Sequence, residues 1–257
     1  MSNVLESLNP APLDTVIVGS RVLVFPVVDS TNDRAFAVGV DGAVVIADSQ
    51  TAGRGRHGRS WASAAGMGLW FSVFLENEVV GLPFAGPLAV LDAFQDFYRG
   101  QDGVLKGKWP NDLLLRDKKC CGTLVERRAS GTVIGIGINL LQQPDHFPEE
   151  LHGKATSFQA EFGWTPGRAR FLRSVLHALD RNVLMLRTDP SGADFLSRRW
   201  FEICRMQGRS VSWRGGEGVI EGVTNSGALF VRQGSDLTTV PFDDSVKVLP
   251  LNQWDAA

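Results

Sequence analysis

Residues able to do chemistry concentrate in one stretch, Gln50-Thr51-Ala52-Gly53-Arg54-Gly55-Arg56-His57-Gly58-Arg59-Ser60-Trp61. Glycine lets a backbone adopt positive φ and approach a ligand closely, at the cost of a large ordering entropy. Arginine supplies a permanent planar cation matched to carboxylate and phosphate. The spacing predicts a loop that is mobile when empty, whose arginines repel one another and which an anionic ligand orders. It lies between two apolar runs, Ala43 to Ala47 and Leu69 to Leu75, which read as strands. Binding loops sit in such places on a rigid scaffold.

Three further stretches carry polar chemistry. Asp29-Ser30-Thr31-Asn32 precedes a helix-like run, so it reads as an N-cap, with hydroxyls and N–H groups placed to meet a polar ligand. Lys108-Trp109-Pro110-Asn111-Asp112 breaks two apolar runs. There a lysine, an amide and a carboxylate could reach a phosphate and a metal ion; the plain alternative is a surface turn. Thr132 to Leu140 is a strand with Gly135 and Gly137 on one face, which leaves that face bare for a ligand. It lacks the third glycine and the helix of a dinucleotide fingerprint.

The elements that must position these residues follow from periodicity. Val22 to Phe25 is a short strand ended by Pro26. Leu88, Leu91, Phe94 and Tyr98 share one face of a helix that packs on a sheet. Arg116 to Lys119 is a polar turn leading into the strand Cys120 to Glu126 as a hairpin, and 142–167 is loop. Arg168 to Leu186 is an amphipathic helix and Ala193 to Ile203 another. From Gly208 short strands alternate with Gly215-Gly216, Asn225-Ser226-Gly227 and Gly234-Ser235-Asp236, the pattern of a small β-barrel. The expected division is 1–206 and 207–257.

The 257 residues hold 26 Lys+Arg against 28 Asp+Glu. That balance argues against nucleic-acid binding by the Arg/Gly loop, which needs a basic excess. No apolar run is long enough to span a membrane, and Met1 to Glu6 has no signal-peptide pattern. Three cysteines, Cys120, Cys121 and Cys204, form neither a disulfide framework nor a zinc pattern, so the expected setting is the reducing cytoplasm. The four histidines have no metal-ligand spacing and no Walker loop is present.

In combination these segments resemble the biotin protein ligase family. Asp29 to Asn32, Gln50 to Trp61, Lys108 to Asp112, Lys119 with Gly122 and Val125-Glu126, and Gly135 to Asn139 occur in the family's order, and the similarity runs from Phe25 to Leu249. The resemblance implies an α+β fold: a mixed, largely antiparallel sheet with helices packed on it, of the class II synthetase-like biotin–lipoyl ligase kind. A small C-terminal Src-homology-3-like barrel completes it. Residues 1–206 would be the biotin/ATP-binding catalytic domain. The implied reaction joins biotin to ATP as biotinyl-5′-AMP, releasing pyrophosphate, then passes biotin to a lysine of a biotin carboxyl carrier domain. ATP and biotin are the substrates and Mg2+ the implied metal, with Asp112 its candidate ligand.

Carried over position by position, Ser30, Thr31, Asn32, Gln50, Gly53, Arg54, Gly55, Arg56, Lys119 and Gly122 would hold biotin. Arg56, Trp61, Lys108, Asn111, Asp112 and Asn139 would hold ATP, with Trp61 stacking on adenine or, alternatively, packing as core. Arg54, Arg56 and Lys119 are the implied catalytic cations, and losing Lys119 should cost on the order of 3 kcal/mol of transition-state stabilisation. Cys120-Cys121 stands where relatives carry aliphatic or small residues, which would alter the biotin pocket wall. His57 stands where some relatives have Arg or Phe. Some relatives carry an N-terminal DNA-binding domain; with 28 residues before Asp29, no repressor activity or specific DNA binding is expected. Relatives include monomers and homodimers. A lipoyl or octanoyl ligase is the nearest alternative, but its Arg-Arg-x-x-Gly-Gly-Gly type motif and histidine–aspartate pair are not found.

Overall fold

A computed structural model describes residues 8–10, 13–101, 103–241 and 245–249. Seven strands form one sheet in the order β1-β2-β3-β7-β6-β5-β4. They are β1 (Val22–Val28), β2 (Val44–Gln50), β3 (Gly68–Leu75), β4 (Leu105–Lys108), β5 (Asp112–Leu115), β6 (Lys118–Arg128) and β7 (Gly131–Asn139). Only β1 and β2 pair in parallel; all other neighbours are antiparallel. β1 runs on through Pro26 rather than stopping there. It is an edge strand, where a missing N–H leaves no partner short.

Side-chain alternation gives the sheet two unlike faces. Val44, Ile46, Leu69, Phe71, Val73, Ile134, Ile136 and Ile138 point into the main core. Over them lie α2 (Leu82–Phe97), α4 (Arg168–Thr188) and α5 (Gly192–Ile203). The expected helical face of Leu88, Leu91, Phe94 and Tyr98 is buried there. Asp180 in α4 accepts the backbone N–H groups of Val16, Ile17 and Val18 at 2.8–2.9 Å, which pins the chain before β1 to this layer. The opposite face is covered only in part, by α1 (Thr31–Val38), whose Ala35 and Phe36 pack with Val45, Phe74 and Val133. The remainder of that face carries the glycines of β6 and β7. The 142–167 segment is mostly irregular, as expected, but also contains a short helix, α3 (Phe158–Phe162).

The second sheet has five strands in the order β11-β10-β9-β8-β12. These are β8 (Ser210–Trp213), β9 (Gly216–Val223), β10 (Leu229–Gln233), β11 (Asp236–Val240) and β12 (Lys247–Val248). Its inward residues Val211, Ile220, Leu229, Val231 and Val240 join the same buried cluster as the helical layer. The α+β expectation, with a small all-β unit at the C-terminal end, therefore holds. No described helix is long and apolar enough to cross a membrane.

Candidate active site

On the glycine-bearing face, Gly122 of β6 stands opposite Gly137 of β7, and Leu124 opposite Gly135. A Cβ on Gly137 would lie 2.6 Å from the Trp61 indole, and one on Gly122 would lie 2.9 Å from it. A Cβ on Gly135 would meet Asn32 Oδ1 at 2.1 Å. The bare face expected from the sequence is thus a floor fitted to two of the chain's own side chains. Trp61 meets Trp70 edge-on, centroids 6.3 Å apart. Its Nε1 is buried with no hydrogen-bond partner among the described residues.

A continuous polar circuit runs around this floor. Ser30 occupies the N-cap of α1 in extended conformation, yet its side chain does not cap the helix. Thr31 donates from both N and Oγ1 to Gln50 Oε1, at 2.8 and 3.0 Å. The Gln50 amide donates to Ser63 Oγ at 2.8 Å, just past the loop's far end. The buried Ser72 hydroxyl bridges Thr31 Oγ1 and Asn32 Oδ1, and Asn32 Nδ2 donates to Glu126 Oε2 at 2.6 Å. Buried polar groups linked this completely hold each other in one arrangement.

The Arg/Gly loop is itself hydrogen-bonded. Gly55 N–H donates to Arg59 O at 2.7 Å and Trp61 N–H to Gly53 O at 2.8 Å, around a single 3-10 turn at Arg56–Gly58. The expected mutual repulsion of the arginines is offset at Arg54. That guanidinium makes a bidentate pair with Asp33 at 2.5 and 3.0 Å and reaches Glu126 Oε2 at 3.2 Å. Arg128 also donates to Asp33. The arginine bonds outweigh the partial burial of Asp33 and hold its carboxyl down at about 2.

Across the floor, Lys119 Nζ pairs with Asp112 at 2.7 Å and sits 5.1 Å from the Trp61 ring centroid. The Trp109–Pro110 peptide at the turn between β4 and β5 is cis. Asn111 donates to Thr123 O, while Asn139 donates to Thr156 O and accepts from Gln142. Both amides are therefore engaged within the chain. One cleft of about 1090 Å³ gathers every predicted site residue except Gly53. Gly53 lies behind the wall, tight against Trp61 O and Ser63 Oγ, where its missing side chain lets the loop close.

Known proteins resemble this chain in sequence and in fold. Residues 24–142 match the Biotin/lipoate A/B protein ligase family. The biotin–[acetyl-CoA-carboxylase] ligase of Paracoccus denitrificans is 33% identical over 230 residues, covering 83% of this chain and 95% of that protein. The chain belongs to the biotin protein ligase family. The bifunctional ligase/repressor BirA of Bacillus subtilis is 34% identical over 183 residues, 66% of this chain, but the match spans only 55% of its length. A biotin protein ligase from Aquifex aeolicus, solved in complex with biotin and ATP, superposes with a TM-score of 0.74 at 28% identity, over 90% of this chain and 99% of that one.

Membership in the biotin protein ligase family does not reveal everything the site contains. Ser63, Ser72, Asp33 and Arg128 are also part of the circuit, beyond the residues that the sequence motifs mark. Ser72 had a signal, being the one polar residue in the apolar run Leu69 to Leu75. One expectation is corrected. Cys120 and Cys121 are fully buried in the main core and do not line the cleft, so they leave its wall unaltered. Burial pushes both thiols up, as it does Cys204, and all three cysteines are free.

Proposed function

We propose that the chain is an ATP-dependent biotin protein ligase, forming biotinyl-5′-AMP and then passing the biotinyl group to a lysine of a carrier domain. The carrying observation is the cleft: hydroxyl and amide groups linked by hydrogen bonds at one end, Lys119 and Lys108 at the other, and a glycine floor between. Its volume exceeds that of most single-ligand pockets, as a site for two substrates requires. Thr31, Gln50 and Asn32, with the Ser30 hydroxyl, suit the neutral ring end of biotin, and the buried Ser72 holds Thr31 and Asn32 from behind. Trp61 already covers Gly122 and Gly137, so the biotin tail would run along the outer side of the indole rather than on the glycines themselves.

The acid end of biotin then falls near Arg56 and Lys119. A carboxylate oxygen attacks the α-phosphorus of ATP, forming the acyl–phosphate bond as the bond to pyrophosphate breaks. Lys119, aimed by Asp112, stabilises charge developing on the shared oxygens. In the second step a neutral lysine amine attacks the acyl carbon, the acyl–phosphate bond breaks to release AMP, and the proton from the nitrogen passes to solvent as the amide forms. The same ammonium steadies the acyl oxygen there. Closure of the Arg/Gly loop keeps water from the anhydride.

The nucleotide is assigned to the side bearing Lys108, Asn111, Asp112 and Asn139. There Asn111 and Asn139 would act by shaping the wall, since their amides are already engaged. Among the described residues no cluster of three or more His, Cys, Asp or Glu exists. Mg2+ fits only as an ion carried on ATP phosphates with Asp112 as a single carboxylate ligand, the usual sparse mode for that metal. Its chemistry would be to neutralise phosphate charge.

The acceptor is assigned as the carrier domain of acetyl-CoA carboxylase, in line with the Paracoccus relative's name. The balanced charge supports a reading without operator binding. We assign 1–206 to the catalytic unit and the chain beyond to the barrel. The test is biotin-dependent exchange of labelled pyrophosphate into ATP. Exchange is expected with biotin and not with lipoate, and Lys119→Ala should lower it about 100-fold, the size of one lost oxyanion-type donor. Lipoate-dependent exchange, or full activity in Lys119→Ala, would overturn the assignment.

A further inference from the structure

Arg54 is a cleft cation held on two sides. Two carboxylates from different elements share it: Asp33 in the first turn of α1 and Glu126 on β6. Both are themselves held, Asp33 by Arg128 and Glu126 by Asn32. A guanidinium in a bidentate pair with a second carboxylate behind it has little left to offer an incoming anion. Arg56, two residues on, also lines the cleft but lies beyond the backbone bridge between Arg54 and Ser60.

We propose that Asp33 and Glu126 are positioning residues that clamp Arg54, anchoring the N-terminal limb of the Arg/Gly loop, and that Arg54 serves the reaction through this clamp rather than by touching the reacting anions. The proposal rests on the ligase reading for its catalytic consequence alone; the clamp itself is built from the chain's own side chains. It divides the loop into a fixed limb at Arg54 and a working limb from Arg56 onward. The clamp also connects the ring end of the cleft to the loop. Asn32 bonds both Ser72 and Glu126, so displacing the Asn32 amide would loosen Arg54 as well.

Hydrogen–deuterium exchange on the ligand-free full chain tests the clamp. Asp33→Asn and Glu126→Gln should each speed exchange at the Gly55 and Trp61 amides about tenfold, as expected for one weakened charge-assisted hydrogen bond. Asp41→Asn, which cuts the Arg187 pair at the opposite end of the sheet, should leave those amides unchanged. In pyrophosphate exchange the two clamp variants should raise the KM for biotin about tenfold with little change in kcat, and Arg54→Lys should recover part of the loss. Arg54→Ala added to the Asp33→Asn, Glu126→Gln pair should cost almost nothing more, because the three act as one unit. Unchanged amide exchange in both clamp variants would overturn the clamp. So would an Arg54→Ala loss in kcat as large in that background as alone. Absence of biotin-dependent exchange in the unaltered chain would sink the ligase reading, while the amide measurement would still decide the clamp.

Discussion

Asp33 and Asn32 follow Ser30-Thr31 on the first turn of α1, yet they serve different ends. Asn32 faces the glycine floor, whereas Asp33 faces Arg54 and Arg128, both permanently charged over any accessible pH. A carboxyl held at about 2 in the folded chain, against about 3.9 when unfolded, stabilises the clamp fully above the unfolded value. That contribution is lost as pH falls through 2. Protection of the Gly55 and Trp61 amides, corrected for intrinsic exchange and set against β3 amides, should stay level from pH 7 to pH 4 and drop toward pH 2. A drop already complete at pH 5 would mean that a different group holds the loop. At this scale the sequence was legible in residue type and largely illegible in pairing. The Gly/Arg alternation marked the loop, but nothing local said that Arg54 meets a carboxylate 72 positions away.

Elements show the reverse balance. Most strands and helices follow from periodicity within a few residues at their ends, because alternation and amphipathic spacing are local properties, although α2 begins well before Leu88 and α3 lies in the expected loop. Pro26 was misread since edge position is a property of the whole sheet, and the cysteine pair because facing depends on register. The glycine pattern of β7 was read as empty space, whereas each glycine accommodates a particular neighbour, and the neighbours differ in freedom. Asn32, opposite Gly135, is fixed by Ser72 and Glu126; Trp61, opposite Gly137, sits on a loop and is half-buried. Gly135→Ala should therefore destabilise the fold by about 2 kcal/mol, in the range for overpacking. Gly137→Ala should cost less, about 1 kcal/mol, and raise the KM for biotin at least ~10-fold by pushing the indole off the floor into the cleft. Chemical denaturation and pyrophosphate exchange on the two variants check this; equal stability losses would mean that Trp61 is as rigidly held as Asn32.

At the scale of the molecule, the texture change near Gly208 suggested a separate small unit, and the second sheet does begin at Ser210. What the sequence could not show is how its core joins the first. Ile220, Leu229 and Val231 lie in one buried cluster with Leu88, Leu176 and Trp200, and Gly227 approaches Phe84. Val246, Val248 and Arg209 complete the cleft wall next to Met206. A second sheet that shares its core with the helical layer and lines the same cleft should not melt independently. Ile220→Ala, which removes a fully buried side chain, should cost about 2–5 kcal/mol. If the core is continuous, that loss is felt throughout. Fluorine labels on the tryptophans, read at Trp213 in β8 and at Trp70 in β3, should then report coincident denaturation midpoints before and after the substitution, both moved down together. Separate midpoints, with Trp213 lost first and Trp70 unmoved, would show that the second sheet folds on its own and that the cleft joins two independent units.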